Sequence, residues 1–178
     1  MIPGKKIDLV AVTMDYLTIY HKWINDPEVS DRLGVLWFPF NLEKEREWVE
    51  KNAIPDDYRK NFTIVTKNGK PIGNISLMEI DYTHRCATLG IMIGEKNYWD
   101  RGYGTDAMKT LLEFSFNTLG LHRIELRTLE LNKRADACYK KCGFKMEGRK
   151  RKHWFYEGKY YDDLLMSILR EDWDRLKK

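Results

Sequence analysis

The stretch from residue 86 to residue 144 changes its hydrophobic period repeatedly, and this constrains the fold more than anything else in the chain. Cys86 to Ile93 alternates, with Ala87, Leu89, Ile91 and Ile93 on one face, which predicts a strand. A loop follows, Trp99-Asp100-Arg101-Gly102-Tyr103-Gly104-Thr105. Beyond it Ala107, Met108, Leu111, Leu112, Ser115 and Leu119 make one helical stripe, and Gly120 ends that helix. Arg123 to Leu129 alternates again, with Ile124, Leu126 and Thr128 on one side. Asn132 can cap a second helix, in which Ala135, Cys138, Tyr139 and Cys142 follow i, i+3, i+4, i+7; Gly143 stops it. A strand–helix–strand–helix run demands a sheet with helices packed on it.

The flanking segments extend that sheet. Lys6 to Val12 alternates as a strand, and residues 15–25 repeat Leu17, Tyr20 and Ile24 at helical spacing until Asn25-Asp26-Pro27 stops the run. A second helix is predicted over 41–53, with Asn41 as its cap and Glu43 and Glu45 in its first turn. Phe62–Thr66 and Pro71–Leu77 flank Asn68-Gly69, which predicts a hairpin whose two turn residues both take positive φ. Lys152–Phe155 and Tyr160–Leu169 form a last hairpin across Glu157-Gly158, and Arg170–Lys178 is a short polar tail with helical character. The expected fold class is α/β (α+β): one mixed, mostly antiparallel central sheet flanked by helices. The 178 residues, 43% of them hydrophobic, show no repeat or Gly/Ser linker, so a single domain spanning 1–178 is expected.

Charge and cysteine usage exclude several classes. The formal net charge of +4 is far from that of a dedicated nucleic-acid binder, yet leaves room for one anionic small molecule. No apolar run approaches the roughly 20 residues that span a bilayer, and no apolar stretch follows the first residues as a signal peptide would. A cytoplasmic protein with no membrane partner is expected. Cys86, Cys138 and Cys142 are odd in number, which argues against a disulfide framework and for core thiols. The four histidines show no ligand spacing, so no metal is expected.

The glycine loop has two chemical readings besides a tight turn. Glycines let backbone approach a ligand, and the unpaired N–H groups of a helix start attract an anion such as a diphosphate. Arg101 would add a fixed cation. The same residues, Gly102 to Ala107, also fit a dinucleotide fingerprint. Its context is missing, because most of the sheet precedes the loop and is antiparallel.

Two motifs together resemble the GNAT superfamily of N-acetyltransferases. One is Arg101-Gly102-Tyr103-Gly104-Thr105 following Ile91-Met92-Ile93-Gly94-Glu95; the other runs from Asn132 through Ala135 and Tyr139 to Gly143-Phe144. The order of elements is similar over nearly the whole chain. Trp23 to Val29 resembles the branch that acetylates ribosomal-protein N-termini; Glu79–Arg85 and Phe155–Tyr160 resemble the spermidine N-acetyltransferases. Two departures stand out. Trp99 occupies a position where the superfamily often has Gln or Arg. Gly34 to Phe40 is apolar and aromatic where spermidine acetyltransferases carry an acidic cluster.

The resemblance implies an acetyl-CoA-dependent transfer of an acetyl group to a primary amine, on a protein N-terminus or a small molecule, by direct attack in a ternary complex. It makes Tyr139 the general acid for the departing thiolate, while periodicity alone would make it a core tyrosine. It places the acetyl-CoA arm on Ile91, Met92 and Ile93 and the diphosphate on Trp99, Asp100, Arg101, Gly102, Tyr103, Gly104 and Thr105. It puts Ala135 among the CoA contacts; Asn132, three residues before it, is either a helix cap or a contact to the thiol end of CoA. Glu79 and His84 are candidates for the general base. Leu36 to Phe40 is either an acceptor pocket or an apolar patch for the core or a homo-oligomer interface. The alternatives are an acyl-CoA-binding module without turnover and a polyamine acetyltransferase.

Overall fold

Alternating apolar residues drive the chain into strands that pair largely in sequence order. A computed structural model describes residues 1–33, 39–54 and 56–177, with the backbone alone at residue 32. The strands are β1 (Ile2–Pro3), β2 (Ile7–Ala11), β3 (Lys60–Thr66), β4 (Pro71–Asp81), β5 (Cys86–Ile93), β6 (Arg123–Leu129), β7 (Lys145–Tyr156) and β8 (Lys159–Leu169). The helices are α1 (Leu17–Ile24), α2 (Pro27–Ser30), α3 (Leu42–Ala53), α4 (Tyr103–Asn117), α5 (Lys133–Lys141) and α6 (Arg170–Leu176). Among the described residues the strands form one eight-stranded sheet in the order β1-β2-β3-β4-β5-β6-β8-β7. Neighbours run antiparallel except β5 and β6. The expected mixed, mostly antiparallel sheet flanked by helices is the observed one.

The two faces of the sheet bury different clusters. Leu9, Ile75, Leu77, Leu89, Ile124, Met166 and Ile168 meet Met108, Leu111, Leu112 and Phe116 of α4 in the main core. Val12, Leu17, Tyr20, Trp23 and Val49 form a second cluster, against which Met92 packs. Within it the Tyr20 hydroxyl is hydrogen-bonded to Thr63, so the buried phenol keeps a partner.

Three local expectations are corrected. Between β3 and β4 only Gly69 takes positive φ (78°); the Gly69 N–H donates to the Thr66 carbonyl and the Thr66 N–H to the Lys70 carbonyl. The loop is therefore Lys67-Asn68-Gly69, a three-residue turn with the glycine in the left-handed position. Pro27 does not simply stop α1. Asp26 caps a new helix in which Pro27 is the first residue, where its missing N–H costs nothing. The last hairpin is longer than 152–155 suggests, because β7 starts at Lys145 and pairs with β8 across two register shifts. Elsewhere the expectations hold. Asn41 caps α3, accepting from the Lys44 N–H at 2.8 Å, and residues 86–93 and 123–129 are strands over the expected ranges.

Candidate active site

The site begins where the sheet comes apart. β5 and β6 pair in parallel at Cys86–Arg123, Ala87–Ile124 and Thr88–Glu125, and there the ladder ends. β5 continues to Ile93 beside β4, while β6 continues to Leu129 beside β8. A cavity of about 310 Å³ opens beside the diverging ends. Ile91, Met92 and Ile93 form one wall; Asn132, Ala135, Cys138 and Tyr139 of α5 form another. Trp99, Asp100, Gly102, Gly104 and Thr105 close one end, and Val29 and Leu33 reach in from the α2 region.

The glycines have distinct tasks in that end wall. Gly102 caps α4 in the left-handed region (φ 80°), which a side chain disfavours. Gly104 is the second residue of α4, where an added Cβ would make ordinary contact with Ile93 (3.6 Å) and Cys138 (4.0 Å). Gly104 is thus not needed by the fold; its bareness leaves the cavity open. Gly104→Phe is expected to keep the wild-type melting temperature within a few degrees and to weaken CoA binding at least about tenfold, as isothermal titration would read.

The expected site residues do not all face the cavity. Arg101 is exposed beside the loop, and Tyr103 turns inward, its ring 4.9 Å from that of Tyr98. Trp99 stands where the resemblance expects Gln or Arg, and it brings a cation with it: the Arg134 guanidinium stacks 3.7 Å from the indole centroid, and both line the cavity. The indole N–H donates to the Ile93 carbonyl at 2.7 Å, which ties the loop to β5. Lys6 is a second basic group that sequence reasoning missed. Its ammonium donates to the Arg101 carbonyl at 2.9 Å and lies 3.7 Å from where a Cβ on Gly102 would stand. Its position 95 residues upstream in the chain hid it from any local motif.

Asn132 does cap α5, its side-chain oxygen accepting from the Ala135 N–H at 3.1 Å, and it also lines the cavity. Tyr139 is 8% exposed and packs on Phe144, with ring centroids 6.2 Å apart. Burial pushes its pKa well above the ordinary tyrosine value, and the sulfurs of Cys138 and Cys142 push the same way. Tyr139 is thus a core residue that also lines the cavity. Glu79 and His84 are exposed and do not line the cavity; Glu79 accepts a hydrogen bond from the Thr88 hydroxyl at 2.8 Å. Residues 34–38 of the apolar segment fall outside the described residues. Of the thiols, Cys142 is buried as expected, but Cys138 lines the cavity and is half-buried. No metal-ligand cluster occurs among the described residues, and no described helix is long and apolar enough to cross a membrane.

A sheet opened at a parallel pair, with a glycine loop and a helix start lining the opening, is built to take an anionic group such as a diphosphate. Residues 7–145 match the acetyltransferase (GNAT) domain family. The chain is 31% identical over 169 residues to spermidine N(1)-acetyltransferase of Vibrio cholerae, covering 94% of this chain and 95% of that one. It is 29% identical to the spermidine N(1)-acetyltransferase of Escherichia coli K12, over 77% of this chain and 74% of that one. The solved structure of the Vibrio cholerae spermidine N-acetyltransferase in complex with CoA and spermine superposes with a TM-score of 0.85 at 27% identity, covering 94% of this chain and 98% of that one. The chain belongs to the GNAT acetyltransferase family. It is an acetyl-CoA-dependent enzyme that acetylates amines.

Proposed function

We propose that the chain transfers the acetyl group of acetyl-CoA to a primary amine of an aliphatic polyamine, with Tyr139 as general acid. The observation that carries the reading is Tyr139 in the wall of a cavity that the Gly102–Gly104 loop at the start of α4 also lines. The unpaired N–H groups of that helix start, with Lys6 and Arg134 nearby, suit the donor's diphosphate. The unladdered edge of β5 at Ile91–Ile93 suits its arm, and a backbone N–H there suits the carbonyl oxygen as charge develops on it. The amine nitrogen loses a proton in the reaction and the departing sulfur gains one. Burial keeps Tyr139 protonated until that moment. What the bound donor supplies is an activated thioester.

The polyamine assignment is supported by the two spermidine acetyltransferase relatives and by the acceptor side of the cavity. The α2 region is held there at both ends. The Tyr156 hydroxyl donates to Asp31 at 2.8 Å, and Lys96 pairs with Asp26 at 2.9 Å and with Glu28. Asp31, between the cavity-lining Val29 and Leu33 in the chain, is a carboxylate beside the apolar residues from 34 to 40. A cytoplasmic setting fits three free thiols.

An acceptor screen with acetyl-CoA tests the assignment: spermidine and spermine should be acetylated with the highest kcat/KM, ahead of N-terminal peptides and amino sugars. A preference for peptides over polyamines would overturn it. The pH profile tests the acid. An aliphatic amine has a pKa near 10, so its reactive fraction rises about tenfold per pH unit below that. Tyr139 is raised by burial, so its proton is retained throughout this range. The logarithm of kcat/KM is expected to climb steadily from pH 7 to about 9 without a descending limb. A fall within that range would contradict a buried tyrosine acid.

A further inference from the structure

The cavity wall carries a thiol that acetyl transfer does not use. Cys138 lies beside the glycine loop, its sulfur 3.3 Å from the Thr105 hydroxyl and 3.9 Å from the Met108 sulfur. Cys142, one turn further along and buried, donates its thiol proton to the Thr105 carbonyl at 3.8 Å. The neighbouring Cys142, the Thr105 hydroxyl at 3.3 Å and the ammonium groups of Lys141 and Lys109 lower the Cys138 thiol from the ordinary cysteine value toward neutral pH. The adjacent Cys138 and burial push Cys142 up. Cys86, the remaining thiol, is pushed up by burial and by the carboxylates of Asp81 and Glu125. In thiol–disulfide exchange the best attacking thiol has a pKa near the ambient pH, because it joins a large thiolate fraction to high nucleophilicity.

We propose that Cys138 is a thiol–disulfide exchange site, at which a low-molecular-weight disulfide closes the donor cleft to acetyl-CoA. The proposal rests on the reading of this cavity as the donor cleft. The Cys138 thiolate attacks one sulfur of a disulfide RSSR. The Cys138–S–S–R bond forms, the reagent's S–S bond breaks, and RS⁻ leaves and takes a proton from water. The disulfide is the oxidant; any free thiol reverses the step. The group added to Cys138 stands where Gly104 and Ile93 face each other, on the path assigned to the donor's arm.

The probe is 2-hydroxyethyl disulfide, applied to the full chain near pH 7.5. Peptide mapping should find one mercaptoethanol group, on Cys138. Acetyl-CoA binding and turnover should fall in step with labelling and return on reduction. Acetyl-CoA present throughout should slow labelling by its occupancy, about 100-fold at 100 times its Kd. Cys138→Ser and Cys138→Ala, each compared with its own untreated sample, should lose the sensitivity to disulfide. Labelling confined to Cys86 would overturn the proposal, as would a labelled Cys138 that leaves acetyl-CoA binding intact. Absence of CoA binding before any labelling would instead overturn the donor-cleft reading and the closure with it. That result is distinct, because Cys138 would still be labelled.

Discussion

Tyr139→Phe is expected to lower kcat by about 100-fold to 1,000-fold, about 3–4 kcal/mol of transition-state stabilisation, while the Kd for CoA stays within about twofold. The substitution deletes one oxygen. The ring keeps its packing on Phe144, and the buried position favours the apolar phenyl, so the fold is undisturbed. What disappears is a proton held at the cavity wall. The departing thiolate must then take its proton from water, in a site partly closed by Ile91, Trp99 and Leu33. Rapid-quench turnover with saturating acetyl-CoA, alongside titration of CoA binding, separates the two quantities. Unchanged kcat would remove Tyr139 from the chemistry and leave it a core residue.

Gly73→Ala is the substitution expected to harm the fold most for its size. Gly73 lies in β4 opposite Ile93, and an added Cβ would press into the Met92 carbonyl oxygen and stand 3.0 Å from the Ile93 Cα. Those are backbone atoms, which cannot swing aside. Strand β5 would have to move away from β4 just where Met92 and Ile93 line the cavity. Overpacking of this kind costs about 1–3 kcal/mol. For a domain of this size that lowers the melting temperature by about 3–10 °C. The displaced cavity wall should also raise KM for acetyl-CoA. Gly104→Ala is the control, since its Cβ meets only ordinary contacts. A Gly73→Ala protein as stable as wild type would mean that the β4–β5 pair adjusts freely, and that the cavity wall is softer than this packing implies.

The parts of the fold that could be read in advance are those where apolar spacing repeats within a few residues. β5, α4, β6 and α5 are of this kind, since each buries one face against the same core. β7 was visible only at its end because it lies at the sheet's edge. Most of its residues are exposed and half are charged, so they carry no alternation, and register shifts interrupt the pairing. The turn after Thr66 misled for a different reason. Asn68-Gly69 favours two positive φ angles locally, but the β3–β4 register adds Lys67 to the loop and leaves only Gly69 to take one.

The candidate site shows the same division. Gly102, Gly104, Asn132 and Tyr139 were legible because a loop, a cap and a helix face are local. Val29, Leu33 and Arg134 were not, because tertiary folding alone brings them to the cavity, and the same holds for Lys6, which folding brings to the glycine loop. Helical spacing put Cys138 on the apolar face of α5, as it did Tyr139. It could not say that β5 and β6 part beneath that face and leave both side chains on a cavity wall.

The central claim is acetyl transfer from acetyl-CoA to an amine at this cavity. Its most direct test mixes the protein with acetyl-CoA and spermidine and follows free thiol release and acetylated amine together by mass spectrometry. One thiol released per acetyl group transferred, with both rates falling together in Tyr139→Phe, is the predicted result. Thiol release no faster than hydrolysis in water, with no acetylated product from polyamines, amino sugars or peptides, would contradict it.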